Sequence, residues 1–151
     1  FETAGSLTPE FINQTKNNGR YIFGVTSWAS EKQYDGYLYG GAPDFRKAIQ
    51  QQFDYNPDYH SAAGAAVVET FHQAFMNAPK LTPKAVRNTI QNIQFTSAYG
   101  QVSFTDKGVI DRPMFPAQWQ MQNGELTPVI TYPQNVRQSN PVYPMPPWNE
   151  R

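Results

Sequence analysis

The spacing of apolar residues divides the chain into helical and extended stretches. Thr8-Pro9-Glu10 offers a capping hydroxyl, a proline at the first helical position and an acid in the first turn. A helix carrying Phe11, Ile12 and Thr15 is therefore predicted to run to Asn17-Asn18-Gly19. Tyr21 to Thr26 follows as a short, nearly unbroken apolar run, which predicts a strand buried on both faces in a parallel sheet. Pro43 opens a second helix with Phe45, Ile49 and Phe53 four residues apart on one face. Asn56-Pro57-Asp58 is turn chemistry ahead of a third helix ending at Asn77-Ala78-Pro79, with Asp58 or Ser61 able to cap its first turn. Val67, Phe71, Ala74 or Phe75, and Ala78 recur there at helical spacing and are expected to face inward. The small residues before them, Ala62 to Ala66, let another backbone approach closely, which places this helix against a sheet. Thr82-Pro83 repeats the capped start and predicts a short helix with Val86, Ile90 and Ile93 inward.

After Tyr99-Gly100 the period shortens to two. Val102 and Phe104 alternate with polar residues, and Asp106-Lys107-Gly108 makes a turn. From Met114 to Met121, Phe115, Ala117, Trp119 and Met121 take one face, while Gln118, Gln120 and Gln122 take the other, as in a half-exposed strand. Asn123-Gly124 predicts a hairpin. Leu126 to Tyr132 returns as an edge or irregular strand, because Pro128 cannot donate to a ladder. The last 19 residues hold five prolines and should lie extended along a surface. Helix, strand and helix in this order make an α/β signature. Three helices between two β regions fit a chain that crosses between two bodies.

Twelve basic and twelve acidic side chains cancel, and no basic run exceeds two residues, which disfavours a nucleic-acid partner. No apolar stretch approaches the roughly 20 residues of a membrane span. Phe1-Glu2-Thr3-Ala4-Gly5 lacks the basic start and apolar stretch of a signal sequence, and Phe1 in place of Met predicts a processed product or a fragment. Without cysteine, disulfides and thiol catalysis are excluded. His60 and His72, twelve positions apart with no cysteine, offer no metal-ligand spacing, and no cofactor is implied. His60 beside Asp58 and Ser61 raises a small serine hydrolase as an alternative, although triads are assembled from distant segments. An interaction module using the Pro-rich tail is a further alternative.

Four segments in order carry a family resemblance. They are Glu2-Thr3-Ala4-Gly5 ahead of Pro9-Glu10-Phe11 and Gly24-Val25-Thr26-Ser27-Trp28; Tyr55-Asn56-Pro57-Asp58-Tyr59 with its Ala-rich helix; Gly100 to Gly108; and Gln118 to Gly124 with the ending Pro146-Pro147-Trp148-Asn149-Glu150-Arg151. Together they resemble the C-terminal half of the leucine/isoleucine/valine-binding proteins, the type I periplasmic substrate-binding components of branched-chain amino acid and amide ABC transporters. The resemblance implies an α/β, type I periplasmic-binding-protein fold, with the C-terminal portions of two Rossmann-like lobes joined by crossover segments. Residues 1–27 would be a second-lobe segment, 28–43 a crossover loop, 44–110 a first-lobe segment, 111–132 terminal strands of the second lobe, and 133–151 a Pro-rich tail.

It further implies a non-enzymatic protein that captures a small amino acid, amide or related polar ligand by lobe closure and delivers it to a membrane permease. The expected location is the periplasm, or the exterior of a Gram-positive cell on a lipid anchor. A missing N-terminal half of the same protein would be a partner. Two ligand-binding candidates follow. Glu2 stands where the family places an acid that meets the ligand's ammonium group, and the competing reading is a frayed surface terminus. Trp28, just past the strand's carboxyl end, lines the cleft mouth or stacks on a ligand, or else packs at a hinge. Tyr34, Tyr37 and Tyr39 offer either a ligand-facing surface or a loop packed over the interlobe connection.

Overall fold

The computed structural model describes residues 5–30 and 35–151. In chain order the elements are α1 (Pro9–Thr15), β1 (Phe23–Thr26), α2 (Ala42–Phe53), α3 (Tyr59–Asn77), α4 (Pro83–Gln91), β2 (Phe95–Ser97), β3 (Gly100–Val102), β4 (Phe115–Gln122) and β5 (Glu125–Ile130). They fall into two units: residues up to 29 joined by 114–151, and residues 30–113 between them in sequence.

In the first unit, Thr8 Oγ1 accepts the Phe11 N–H at 3.4 Å, so α1 starts where its cap and proline predict. A 3-10 turn over Lys16–Gly19 then leads towards β1. β1 pairs antiparallel with β4, Phe23 opposite Gln118 and Thr26 opposite Phe115. β4 pairs antiparallel with β5 through the Asn123-Gly124 hairpin, giving the order β1-β4-β5. The parallel sheet expected around Tyr21 to Thr26 is thus corrected. Every pairing among the described residues is antiparallel, and β1 buries only its alternate positions Gly24 and Thr26. Gly24 belongs in the run for its small size: Ser6 and Leu7 lie directly over it, where a Cβ would collide with both. Pro128 sits on β5, an edge strand, as expected.

One core cluster joins Leu7, Ala117 and Trp119, with Phe11, Ile12, Ile22 and Leu126 packed against it. The Trp119 indole N–H satisfies the buried Ser6 carbonyl at 2.6 Å. A second joins Ala29, Phe115 and Ile130 under Val136. The opposite face of β4 departs from the predicted alternation. Gln118 and Gln120 are buried rather than half-exposed, because the C-terminal segment crosses above them and takes their hydrogen bonds. Met121, expected inward, is exposed near the strand's end.

In the second unit, Asp44 Oδ2 accepts the Gly41 N–H at 2.9 Å and helps start α2. Ala42 and Phe45 are buried, whereas Phe53, expected on the same inner face, is 66% exposed at the last turn. Thr82 caps α4 through Ala85 N–H, and Val86 is buried on it. α4 packs against α3. The loop ahead of α2 packs on this unit: Tyr37 N–H donates to Thr96 O at 2.8 Å, and its ring meets the edge of Phe95. Gly36 is required by that approach, since a Cβ would strike the Gly40 carbonyl and the Ala98 amide.

α3 buries Ala74, one of the two alternatives, and the small residues expected to allow close approach, but not Val67 or Phe71. Its buried residues are Ala62, Ala66, Glu69, Thr70 and Ala74, while Val67, Phe71 and Phe75 are exposed together with Val68 and Met76. The small side chains permit the closest backbone approach, so they, and not the large ones, take the inner side.

Candidate functional site

The carboxyl end of β1 holds Trp28 through its main chain. Thr26 Oγ1 donates to the Trp28 carbonyl at 2.6 Å and accepts the Trp28 N–H at 3.0 Å. One buried hydroxyl therefore fixes both main-chain polar groups of Trp28, in the manner of a local side-chain turn. Thr26, Ser27, Trp28 and Ala29 are all buried, with Trp28 at 5% exposure. The segment leaves the strand as a fixed ledge. Glu2, the other candidate, lies outside the described residues, as does Tyr34. Tyr37 and Tyr39 adopt packing roles: the Tyr37 hydroxyl lies 3.2 Å from His72 Nδ1, and Tyr39 meets Phe45 edge-on.

The Asp58, His60 and Ser61 cluster is a helix cap. Asp58 Oδ1 accepts the main-chain N–H groups of His60 and Ser61, each at 3.0 Å, and also the Ser61 hydroxyl at 3.2 Å. Asp58 Oδ2 lies 3.1 Å from His60 Nδ1. Burial pushes the Asp58 carboxyl up, but the bonds from His60 and Ser61 and the nearby imidazole outweigh it and hold the group below the ordinary range. The serine hydroxyl meets the carboxylate and not the imidazole, so the three groups do not line up in the Ser–His–Asp order of a triad. This arrangement starts α3.

Two features escaped the sequence. Glu69 is fully buried on α3 with no hydrogen-bond partner for either carboxylate oxygen among the described residues, and burial pushes its carboxyl up to about 7. Its position one residue from Thr70 on the small-residue side of α3 would have signalled this, had that side been taken as the inner one. The Gln118 and Gln120 pair is the second feature, and its spacing of two is visible in the sequence.

The chain belongs to the periplasmic binding protein family, which it matches over residues 4–125. Solved structures agree on the fold. A leucine-binding protein from Thermotoga maritima superposes with a TM-score of 0.68 at 15% identity, covering 83% of this chain and 35% of that one. A leucine-, isoleucine-, valine-, threonine- and alanine-binding protein from Brucella ovis, in a closed conformation, gives 0.70 at 16% identity, covering 93% and 38%. A solute-binding protein from R. palustris in complex with benzoate gives 0.62 at 12% identity, covering 78% and 31%. The chain thus spans about a third of the length of the proteins it superposes on, a coverage that fits a C-terminal half. The fold is the α/β, type I periplasmic-binding-protein architecture that the ordered motifs implied.

Proposed function

We propose that the chain forms the C-terminal half of the substrate-binding component of an ABC transporter, which captures a small amino acid, amide or related polar ligand and hands it to a membrane permease. The observation that carries this reading is the family match over residues 4–125. Residues 1–27 and 111–132 are assigned to the second lobe, 44–110 to the first, 28–43 to the crossover and 133–151 to a tail along the surface. The protein works in the periplasm, or outside a Gram-positive cell on a lipid anchor, without enzymatic activity. Closure removes water from the ligand's charges, and an acid near its ammonium group then attracts it more strongly than in bulk solvent. Glu2 is assigned that contact, and Trp28 the mouth of the cleft. The ligand shifts the open–closed balance by the difference between its contacts in the two states.

The outer face of α3 supports a missing N-terminal half. Val67, Val68, Phe71, Phe75 and Met76 are exposed on α3, with Phe71 and Phe75 ring centroids 5.8 Å apart. Apolar patches of this kind mark surfaces that another body covers. The remainder of a protein more than twice this length supplies such a body. Isothermal titration with leucine, isoleucine, valine, phenylalanine and small amides tests the proposal, run on this chain alone and on the chain joined to its N-terminal remainder. Binding is expected only in the joined protein. Tight stoichiometric binding by the 151-residue chain alone would refute the need for the N-terminal half in holding the ligand. No binding by the joined protein would remove the functional reading itself.

A further inference from the structure

The β4 face opposite the core is built to hold a peptide main chain. Gln118 is fully buried, and all its polar capacity is used. Its Oε1 accepts the Val142 N–H at 2.9 Å while its Nε2 donates to the Val142 carbonyl at 3.0 Å. A carboxamide carries the same donor and acceptor as a peptide group, so Gln118 offers Val142 what a neighbouring strand would. The second Nε2 hydrogen goes to Tyr21 O at 2.9 Å, and Oε1 also accepts from Gln120 Nε2 at 2.8 Å. Gln120 Nε2 in turn donates to the Asn140 carbonyl at 2.8 Å.

Two side chains spaced by two on β4 therefore grip two residues spaced by two on the tail, the register of paired extended chains. Between them stands Pro141, which has no N–H to satisfy. The β5 end repeats the device: Gln138 N–H donates to Ile130 O at 2.8 Å, and Gln138 Oε1 accepts Ile130 N–H at 2.7 Å. Asn140 and Val142 are held here through main-chain atoms, and the grip is independent of their side chains.

We propose that the Gln118–Gln120 face of β4 is a docking site for an extended main chain, filled in cis by Asn140 to Val142 and open to the same segment of a second copy. The occupant is set by what already sits there. The tail joins β5 through a short hinge containing two turn bonds, Val136 N–H to Pro133 O and Arg137 N–H to Gln134 O. Straightening that hinge breaks those two bonds and moves Val136 off Ala29, Phe115 and Ile130, while the pairing of β4 with β5 stays intact. Exchanging an identical segment between copies re-forms the bonds of the docked tail and loses only the two turn bonds of the hinge, so it is a low-cost route to a dimer. In cis the tail enjoys an effective concentration of about millimolar order, which favours the monomer while the hinge is long enough to turn back.

Two experiments on the full chain test the proposal. In the first, a protease site is placed between Pro133 and Arg137, the folded protein is cut, and a fluorescent synthetic peptide of residues 137–151 is added in excess. The cut tail is expected to stay bound and to exchange for the labelled peptide. Gln118→Ala should weaken that complex by at least about tenfold, for the loss of two direct bonds, and the exposed Gln122→Ala should leave it unchanged. Should Gln118→Ala fail to fold by circular dichroism, Gln120→Ala takes its place, with an expected loss of about threefold or more. Departure of the cut tail without peptide binding, or equal binding by the glutamine variants, overturns the site. In the second experiment, residues 134–136 are deleted so that the tail cannot turn back. Light scattering should then report a dimer at micromolar concentration. A folded monomer overturns the second copy as occupant.

Discussion

Glu69→Gln should stabilise the protein at neutral and alkaline pH and have much less effect in acid. Glu69 is 0% exposed, and neither carboxylate oxygen has a partner among the described residues, so ionising it inside the fold is opposed by lost hydration. Its carboxyl is pushed up from the ordinary 4.5 to about 7. The sign follows from which state holds the proton. Below pH 4.5 both folded and unfolded chains carry it, and the ionisation penalty vanishes. As pH rises towards 7 the unfolded chain loses its proton while the folded chain keeps it, so stability falls by about 1.4 kcal/mol per pH unit. Above about 7 the loss is complete, at most about 3 kcal/mol. A glutamine has nearly the same shape and cannot ionise. Other carboxylates titrate alike in both proteins and cancel in the comparison. Urea unfolding followed by far-ultraviolet circular dichroism at pH 4.5, 6 and 8 gives the test. The variant's advantage should grow across the three values by up to about 3 kcal/mol. An advantage that stays constant with pH would refute the buried, unpaired assignment.

Asp58→Ala should cost about 1 kcal/mol through the lost N-cap of α3, read from the urea midpoint at pH 7. Because the Asp58 carboxyl is held below its ordinary value, its contribution is present above that value and disappears as pH falls through the depressed one, so the variant's deficit should shrink in acid. Gly36→Ala should destabilise by about 1–3 kcal/mol, since the new methyl meets the Gly40 carbonyl and the Ala98 amide, and a thermal melt measures it. Phe71→Asp on the isolated chain should shift the urea midpoint by no more than about 0.5 kcal/mol equivalent, because the ring is exposed there; a large loss would contradict that exposure.

The helix starts at Thr8, Asp58 and Thr82 and the hairpin at Asn123-Gly124 were legible in the sequence because each is fixed by chemistry within about four residues. The phase of α3 was not. A helix with small apolar residues on one side and large ones on another has two candidate inner faces, and which is covered depends on chain elsewhere. The direction of β1 failed for a related reason, since an apolar run carries no mark of whether its neighbour runs parallel or antiparallel. Gln118 and Gln120 were read as solvent-facing because alternation assumes water opposite the core, and here the tail occupies that place. Of the two residues expected to meet a ligand, Trp28 lies at the carboxyl end of β1 as its position predicted, and its indole is buried. The fold class came from the order of motifs, each of them weak alone.

The first unit is woven from both ends of the chain, and this bears on how it is made. Tyr21 and Gln118, which share a hydrogen bond, stand 97 positions apart. On the ribosome, α1 and β1 emerge long before the strand they pair with, while the intervening helices can acquire their local turns at once. Closing so wide a loop carries an entropic cost that no nearby contact offsets, and folds rich in such pairings form slowly. The segment that covers Gln118 and Gln120 emerges after all three strands of that sheet. Nascent chains halted before Val142 should therefore present a paired sheet with its glutamine face bare, the state in which a chaperone would have most to hold.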